Sequence, residues 1–129
     1  TITIFACFPN GRFLFSGLHE DIMVYRSDTG TVELVKTRGM WLGIRDDIKM
    51  FMEDDELFIQ KDDVLLLYTD GITEAMDGCR NLFSKERLKG ILEESGGGNT
   101  GEISSLVLER LDDYRRDDDV TMVVIKRLE

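Results

Sequence analysis

The sequence predicts an α+β domain in which short antiparallel strands come first and two helices follow. Three observations support this class. Segments of alternating polarity joined by tight turns fill the first third of the chain, a continuously apolar run of strand length lies near its middle, and two capped amphipathic segments come before a last apolar strand. The 129 residues suit a single domain, 1–129, by length.

The first two strands are predicted on either side of an Asn-Gly turn. Apolar and polar residues alternate from Thr1 to Phe8, and the turn at residues 9–11 carries Asn-Gly, whose backbone tolerates the positive φ angles of a tight hairpin. Arg12 to Ser16 continues the alternation, with Phe13 and Phe15 on one face. These two segments are therefore expected to form a β-hairpin.

Three further strands are predicted before the middle of the chain. Asp21 to Arg26 and Thr31 to Lys36 flank a short turn, which favours antiparallel pairing. Gly39 to Ile44 follows as a loop that apolar side chains, including Trp41, hold against the core. Lys49 to Ile59 is predicted as a strand that weakens at the acidic run 53–56, which is interpreted as a solvated face or a protected sheet edge.

Val64 to Tyr68 is continuously apolar, which is typical of a central strand buried on both faces. A helix is the competing interpretation of so short a run. The Asp62-Asp63 pair before it and the Asp70-Gly71 pair after it confine the run to the length of a strand.

Two helices and a last strand are predicted in the final third of the chain. Ser84 is expected to cap the first helix, and Asn99 the second, with Glu102 as the partner in a capping box. The second helix is expected to end in the basic pair 115–116, where cations suit the negative pole of the helix dipole. Val120 to Ile125 is the last predicted strand.

Composition excludes several classes of function. Lys plus Arg number 16 and Asp plus Glu number 26, so the formal charge is 16 − 26 = −10, which argues against nucleic acid or an anionic membrane as partner. No apolar run approaches the roughly 20 residues of a spanning helix. The two cysteines form no metal or disulfide pattern, which favours a cytoplasmic protein. Because the chain starts at Thr1 without a signal peptide, it is interpreted as a piece of a longer protein.

The candidate chemistry lies at the tips of two strands. Asp70 follows one apolar strand, and Asp118 precedes another, so antiparallel pairing of the two strands would bring both carboxylates to one rim. Carboxylates without neighbouring His or Cys suit Mg²⁺ or Mn²⁺, and a cation would relieve their mutual repulsion. On spacing alone, solvated aspartates at strand ends are the commoner explanation.

Five segments resemble, in order and spacing, bacterial metal-dependent serine/threonine phosphatases of the PPM family, in its sporulation-phosphatase and stress-sigma-regulator branch. Leu65 to Ala75 resembles the strand followed by Thr/Ser-Asp-Gly-hydrophobic-Thr-Glu-Ala, and Asp118 to Val124 resembles the closing Asp-Asp-hydrophobic-Thr-hydrophobic strand. Phe83 to Leu88 is similar to Phe-Gly-x-x-Arg-Leu, with Ser84 in place of Gly. The two weaker matches are Phe15 to His19, similar to Asn-Ala-Gly-His, and Gly39 to Ile44, similar to Gly-x-x-Leu-Gly-hydrophobic.

The resemblance implies a mostly antiparallel two-sheet sandwich flanked by helices, of the α/β/β/α type. It implies two Mn²⁺ or Mg²⁺ ions and attack of a metal-bound water on phosphoserine or phosphothreonine in a regulatory protein. By matching position, Asp70 and Asp118 are the expected metal ligands, and Asp119 is expected at a weaker or outer position. The branch further implies an upstream sensor or receiver domain and, as substrate, an anti-sigma-factor antagonist.

One motif of the family has no counterpart in this sequence. The Gly-Asp-hydrophobic-Ser/Cys-Gly-His/Lys-Gly segment, which completes the metal pair, is absent, so the chain is interpreted as the C-terminal portion of a phosphatase domain. The alternative is a non-catalytic phosphatase-like module that binds a signalling partner. An incomplete domain would expose sheet edges and core surface, so self-association is expected. His19 is assigned a structural place in its turn, with a place near the metal rim as the alternative.

Overall fold

The computed structural model describes residues 2–39, 43, 46, 47, 49 and 52–129. This part of the chain forms seven strands and three helices, in which the strands come first, the helices follow and one strand closes the fold. The elements are β1 (Ile2–Cys7), β2 (Arg12–Leu18), β3 (Ile22–Arg26), β4 (Thr31–Val35), β5 (Asp55–Phe58), β6 (Val64–Tyr68), α1 (Asp70–Thr73), α2 (Lys85–Ser95), α3 (Thr100–Leu111) and β7 (Met122–Lys126).

The strands form two sheets, and each named pair is antiparallel. One sheet has the order β1-β2-β5 and the other has the order β4-β3-β6-β7. Val64, Leu65 and Leu66 are completely buried in β6, which lies between β3 and β7. The apolar run is therefore a central strand, as predicted, and the competing helix interpretation is wrong.

The two sheets pack face to face. Alternation along β2 turns Phe13 and Phe15 inward, where they meet Val24 and Leu65 of the second sheet in one apolar cluster. Phe5 of β1 stacks on Phe15, with ring centroids 5.8 Å apart. The predicted antiparallel two-sheet sandwich is confirmed.

Helices α2 and α3 cover the other face of the second sheet. Ser84 caps α2 by accepting a hydrogen bond from Arg87 N, and Asn99 caps α3 in the predicted box with Glu102. Leu88, Ile91 and Leu92 of α2, with Ile103, Val107 and Leu111 of α3, pack with Met23 and Leu66 of the sheet in the larger apolar cluster. The described residues thus form three layers in the order sheet, sheet and helices.

The acidic run in the fifth strand behaves differently from the prediction. The strand is β5 and spans only Asp55–Phe58, so the expected Lys49 to Ile59 strand is too long, and part of the acidic run lies inside it. Asp55 pairs with Phe15 and Glu56 with Leu14. Since β5 is an edge strand, its acidic side chains can reach water while the backbone still pairs.

The end of one helix and the presence of another also differ from the prediction. Helix α3 ends at Leu111, so Arg115 lies beyond it and instead forms an isolated bridge with Met76. Residues 70–73, for which no helix is predicted, form the short helix α1. Trp41, with most of the predicted 39–44 loop, lies outside the described residues.

Two further findings concern the helices and the two cysteines. None of the helices in the described ranges has the length and apolar character to cross a membrane. Cys7 and Cys79 are exposed and free, as the absence of a cysteine pattern predicts.

Candidate metal-binding site

The two acidic segments meet at one rim of the second sheet. Strands β6 and β7 are antiparallel neighbours, and Tyr68 at the end of β6 pairs with Met122 at the start of β7. Asp70 lies two residues beyond Tyr68, and Asp118 lies four residues before Met122. The predicted neighbourhood of the two segments is therefore present, while the binding of a metal by their carboxylates stays a prediction.

Thr69 ties the end of β6 to the acidic segment. Its backbone N donates to Thr121 O at 3.0 Å, which extends the ladder by one pair. Its hydroxyl donates to Asp119 O at 3.0 Å and accepts a hydrogen bond from Thr121 N at 3.0 Å. The Thr69 hydroxyl thus both donates and accepts a hydrogen bond, and both partners lie in the segment 119–121.

Gly71 allows the two segments to approach each other closely. A Cβ atom at this position would lie 2.4 Å from Asp119 O and 3.2 Å from Asp118 O. Gly71 belongs to the helix α1 and is not among the residues with positive φ. The glycine is therefore required because the acidic backbone packs against it, and not because its own backbone is left-handed.

The three acidic side chains Asp70, Asp118 and Asp119 are exposed. Asp118 Oδ1 accepts a hydrogen bond from Asp119 N at 2.7 Å, which fixes one oxygen of this carboxylate. Free carboxylate oxygens are the donors that Mg²⁺ and Mn²⁺ prefer, so the residues fit such an ion in donor type. Within the described ranges, no group of three or more His, Cys, Asp or Glu side chains is arranged to hold a metal ion. These acids therefore fit only as part of a ligand set.

A cavity of about 320 Å³ opens beside Asp118. Gly71 and Glu74 also line it, as do Met76 and Leu82, which form an isolated antiparallel bridge. Met76 and Leu82 are 40% and 48% exposed. The rim thus offers apolar surface next to the acids, which the sequence analysis did not anticipate.

His19 lies at a cavity that Thr69 also lines. It lines a second cavity, of about 200 Å³, together with Tyr68, Thr69 and Thr121. Thr37 holds the turn, because its hydroxyl donates to His19 O at 2.6 Å and accepts from His19 N at 2.9 Å. The backbone of His19 is thus fixed in its turn, and the residue lines a cavity that reaches Thr69 at the rim, so both interpretations of this histidine stay open.

Charged groups on the same side of the fold hold α2 against the start of β3. Lys85 Nζ donates to Asp21 Oδ2 at 2.9 Å and lies 3.4 Å from Glu20 Oε2. Burial raises the pKa of the neighbouring Tyr68 to about 12, so its hydroxyl stays protonated at neutral pH. These groups order the wall of the second cavity, and none of them carries a charge that is free to act on a ligand at the rim.

The residues of the rim that the sequence analysis missed are hydroxyl groups and a carboxylate rather than further aspartates. Thr69 and Thr121 were noticed only as parts of motifs. The available signal was their position in the sequence, since Thr69 directly precedes Asp70 and Thr121 follows Asp119 by two residues. Glu74 belongs to the same motif and lines the cavity beside Asp118.

Comparison with known proteins agrees with this architecture. Residues 1–128 match the family described as Stage II sporulation protein E (SpoIIE). Phosphoserine phosphatase RsbU of Bacillus subtilis (strain 168) is 27% identical over 115 residues, which cover 84% of this chain and 32% of RsbU. The chain thus spans about a third of the length of this curated relative.

Two solved structures share the fold. The RsbU and RsbW domains of Rv1364c from Mycobacterium tuberculosis superpose with a TM-score of 0.79 at 20% identity, over 98% of this chain and 35% of that one. The phosphatase domain of the cell fate determinant SpoIIE from Bacillus subtilis, in a form presoaked with Mn, gives a TM-score of 0.70 at 16% identity, over 98% of this chain and 56% of that one. At these identities the likeness establishes the fold, and the family match covers nearly every residue, so the chain belongs to the SpoIIE family.

Proposed function

We propose that this chain is the C-terminal portion of a metal-dependent protein phosphatase that hydrolyses phosphoserine or phosphothreonine in a regulatory protein. The observation that carries the proposal is the meeting of the Asp70 and Asp118 segments at one rim, held by Thr69 and Gly71. Membership of the SpoIIE family and likeness to a phosphoserine phosphatase support the reaction class.

The acids of the rim would bind divalent cations as part of a larger ligand set. Asp70 and Asp118 would each contribute carboxylate oxygens, and Asp119 would lie at a weaker or outer position. Bound Mn²⁺ or Mg²⁺ supplies a lowered pKa for water and neutralises phosphoryl charge. The Mn-presoaked SpoIIE phosphatase domain supports manganese as a candidate ion. The remaining ligands would come from the part of a phosphatase domain that precedes these residues.

The chain's own residues would also shape the approach of the substrate. The rim is acidic, because Glu74, Asp117 and Asp118 line the cavity beside it. A phosphorylated segment would be repelled by these groups unless cations neutralised them, so substrate binding should depend on the metal. The resemblance to the sporulation-phosphatase and stress-sigma-regulator branch suggests an anti-sigma-factor antagonist as the substrate and a sensor or receiver domain upstream of these residues. The phosphoserine phosphatase among the relatives supports a substrate that carries phosphoserine.

Replacement of Asp70 by Asn tests the proposal in the full-length protein. The change keeps the size of the side chain and removes one negative ligand, so Mn²⁺-dependent phosphate release from a phosphoserine protein should fall by about 100-fold or more. Release of inorganic phosphate is measured against Mn²⁺ concentration. Asp62→Asn is the matched control, because Asp62 lies before the other end of the same strand, is exposed, and has a φ of 66° that Asn tolerates.

The absence of a three-acid cluster in the described ranges favours a second candidate, the non-catalytic module that binds a signalling partner. The same experiment separates the two. If the wild-type protein releases no phosphate with Mn²⁺ or Mg²⁺ while it still binds its partner, the phosphatase proposal is wrong and the binding module stands. If Asp70→Asn abolishes phosphate release and leaves partner binding intact, the protein is a phosphatase, and a non-catalytic binding module does not explain its activity.

A further inference from the structure

Thr69 occupies the junction between the two acidic segments. Asp70 is the next residue, and the hydroxyl of Thr69 bonds across the junction to Asp119 O and Thr121 N, both at 3.0 Å. The backbone of Thr69 adds a third bond, from its N to Thr121 O at 3.0 Å. Thr69 thus makes three hydrogen bonds to the segment that carries Asp118 and Asp119.

The acidic segment has little regular structure of its own. It lies between the end of α3 at Leu111 and the start of β7 at Met122, and no helix or strand is formed over 117–119. The Asp119 amide bonds to the adjacent Asp118 carboxylate and not to another element. The Met76–Arg115 bridge holds the chain just before this segment. Beyond that bridge, the position of the segment relative to Asp70 depends on the bonds from Thr69 and on the contact with Gly71.

Gly71 limits how closely the acidic segment can approach the start of α1. Because a Cβ atom here would lie 2.4 Å from Asp119 O, the acidic backbone already rests directly on the glycine. Thr69 prevents the two segments from separating, and the surface of Gly71 prevents them from coming closer. Together they fix the spacing between the Cα atoms that carry Asp70 and Asp118.

We propose that Thr69 is a positioning residue, which sets the spacing of the Asp70 and Asp118 carboxylates through its hydroxyl bridge to Asp119 and Thr121. The proposal rests on the proposed function, in which both carboxylates bind divalent cations. Residues that orient metal ligands from behind typically change metal affinity by about 10- to 100-fold when they are replaced. Thr69 acts in this way and does not touch the ion or the phosphate.

Thr69→Val in the full-length protein removes the hydroxyl and keeps the shape of the side chain. We expect Mn²⁺ affinity, measured by electron paramagnetic resonance of the free ion, to fall by about 10-fold or more. In the metal-free protein, hydrogen exchange of the Thr121 amide should become about 10-fold faster or more, because its acceptor is gone. Thr69→Ser keeps the hydroxyl and should restore both quantities to near the wild-type values.

Ser27→Ala is the matched control. Its hydroxyl also bridges two segments, at 3.0 Å to Lys61 O and 3.1 Å to Asp63 Oδ1, but it lies at the opposite ends of the strands. This variant should leave Mn²⁺ affinity unchanged, so any loss of thermal stability that it shares with Thr69→Val is separated from the metal effect.

Gly71→Ala provides a second variant in case Thr69→Val folds poorly. The added methyl pushes the acidic segment away from Asp70, so Mn²⁺ affinity should again fall by about 10-fold or more while the Thr69 hydroxyl is intact.

Unchanged Mn²⁺ affinity in a folded Thr69→Val or Gly71→Ala protein overturns the positioning role, and so does an equal loss in Ser27→Ala. If the wild-type protein binds Mn²⁺ and releases phosphate, the proposed function stands even when the positioning role of Thr69 is overturned. A wild-type protein that binds no Mn²⁺ overturns both.

Discussion

The backbone at Ser84 is strained. Its φ of 70° and ψ of 156° lie in a region that is almost exclusive to glycine and that costs other residues about 1–3 kcal/mol. The serine side chain recovers little of this cost, since its hydrogen bond from Arg87 N is long, at 3.4 Å. The phosphatase motif that this segment resembles has Gly in the place of Ser84. The positive φ explains this preference, because glycine adopts such a backbone without strain.

Ser84→Gly should therefore stabilise the fold by about 1 kcal/mol. The relief of strain exceeds the few tenths of a kcal/mol lost with the cap and the extra entropy that glycine gives the unfolded chain. Urea denaturation followed by circular dichroism measures the change. Asn99→Gly is the control with the opposite sign, because Asn99 caps α3 at an ordinary φ of −84° and accepts at 3.0 Å from Glu102 N. A destabilised Ser84→Gly protein would contradict the assignment of strain.

Single residues of the site were predictable to different degrees. The meeting of the Asp70 and Asp118 segments could be predicted because an apolar strand that stops at a carboxylate is visible in the sequence. The roles of Thr69 and Gly71 could not be found in this way, because they depend on which backbone atoms of another segment lie within 3 Å or so. Such contacts follow from strand pairing, which a local pattern does not specify.

At the scale of elements, a buried ion pair fastens the end of the sandwich opposite the acidic rim. Asp63, which is 1% exposed, accepts from Arg26 Nη1 and from the backbone N of Ser27 and of Gln60, each at 2.9 Å. Arg26 Nη1 also donates to Phe58 O at 2.8 Å. The ends of β3 and β5 and the start of β6 are thus joined through one carboxylate.

Asp63→Asn should lower the free energy of unfolding by about 3 kcal/mol at neutral pH, because it leaves Arg26 without its buried partner. Burial by itself would raise the pKa of Asp63, but the bonds from Ser27, Gln60 and Arg26 outweigh it and lower the pKa below its ordinary value. The contribution of this carboxylate to stability is therefore full above about pH 4 and is lost as the pH falls through the lowered pKa.

Urea denaturation at a series of pH values checks this expectation. The difference between wild type and Asp63→Asn should narrow as the pH falls below about 4. The unfolded wild-type chain takes up a proton at Asp63 first, and the native carboxylate becomes neutral only as the pH passes through its lowered pKa. Glu33→Gln is the control, because Glu33 also pairs with Arg26 but its side chain is 54% exposed, so the loss should stay below about 1 kcal/mol. Equal losses in the two variants would show that burial does not decide the strength of the pair.

Local signals explain why some elements were easier to predict than others. The capped helices α2 and α3 begin where Ser84 and Asn99 place them, because caps act within one turn. The limits of β5 were wrong because its acidic residues are tolerated only at a sheet edge, and edge position is a property of the whole sheet. Helix α3 ends at Leu111, before the basic pair, because Arg115 pairs instead with the distant Met76.

At the scale of the whole molecule, the three layers leave one sheet face without a helix among the described residues. Helices α2 and α3 pack on the second sheet, whereas the outer face of the first sheet carries Ile2, Ile4 and Phe58 at 47%, 66% and 54% exposure. The alternation of β1 predicts that one face is apolar, but it cannot tell which partner covers that face. The sandwich itself was expected only through the family resemblance, because β2 pairs with β5 about forty residues later.

This apolar face should drive self-association of the 129-residue chain. Contiguous exposed apolar side chains on a sheet are stabilised by contact with another apolar surface, and the free edge of β1 adds unpaired backbone groups. Sedimentation velocity should give a weight-average mass above the 14.8 kDa of one chain, rising with concentration. Ile4→Lys places a charge on this face, next to the free edge of β1, and should lower that mass towards the monomer value.

Leu128→Lys is the matched control for this prediction. Leu128 is 69% exposed, close to the 66% of Ile4, but it lies beyond β7 and away from the first sheet's outer face. Both variants change the net charge from −10 to −9, so a difference between them reflects the position of the charge and not its amount. If Leu128→Lys lowers the mass as much as Ile4→Lys does, the association follows net charge. If the wild-type chain is a monomer at every concentration, the uncovered face is not sufficient to drive contact between copies.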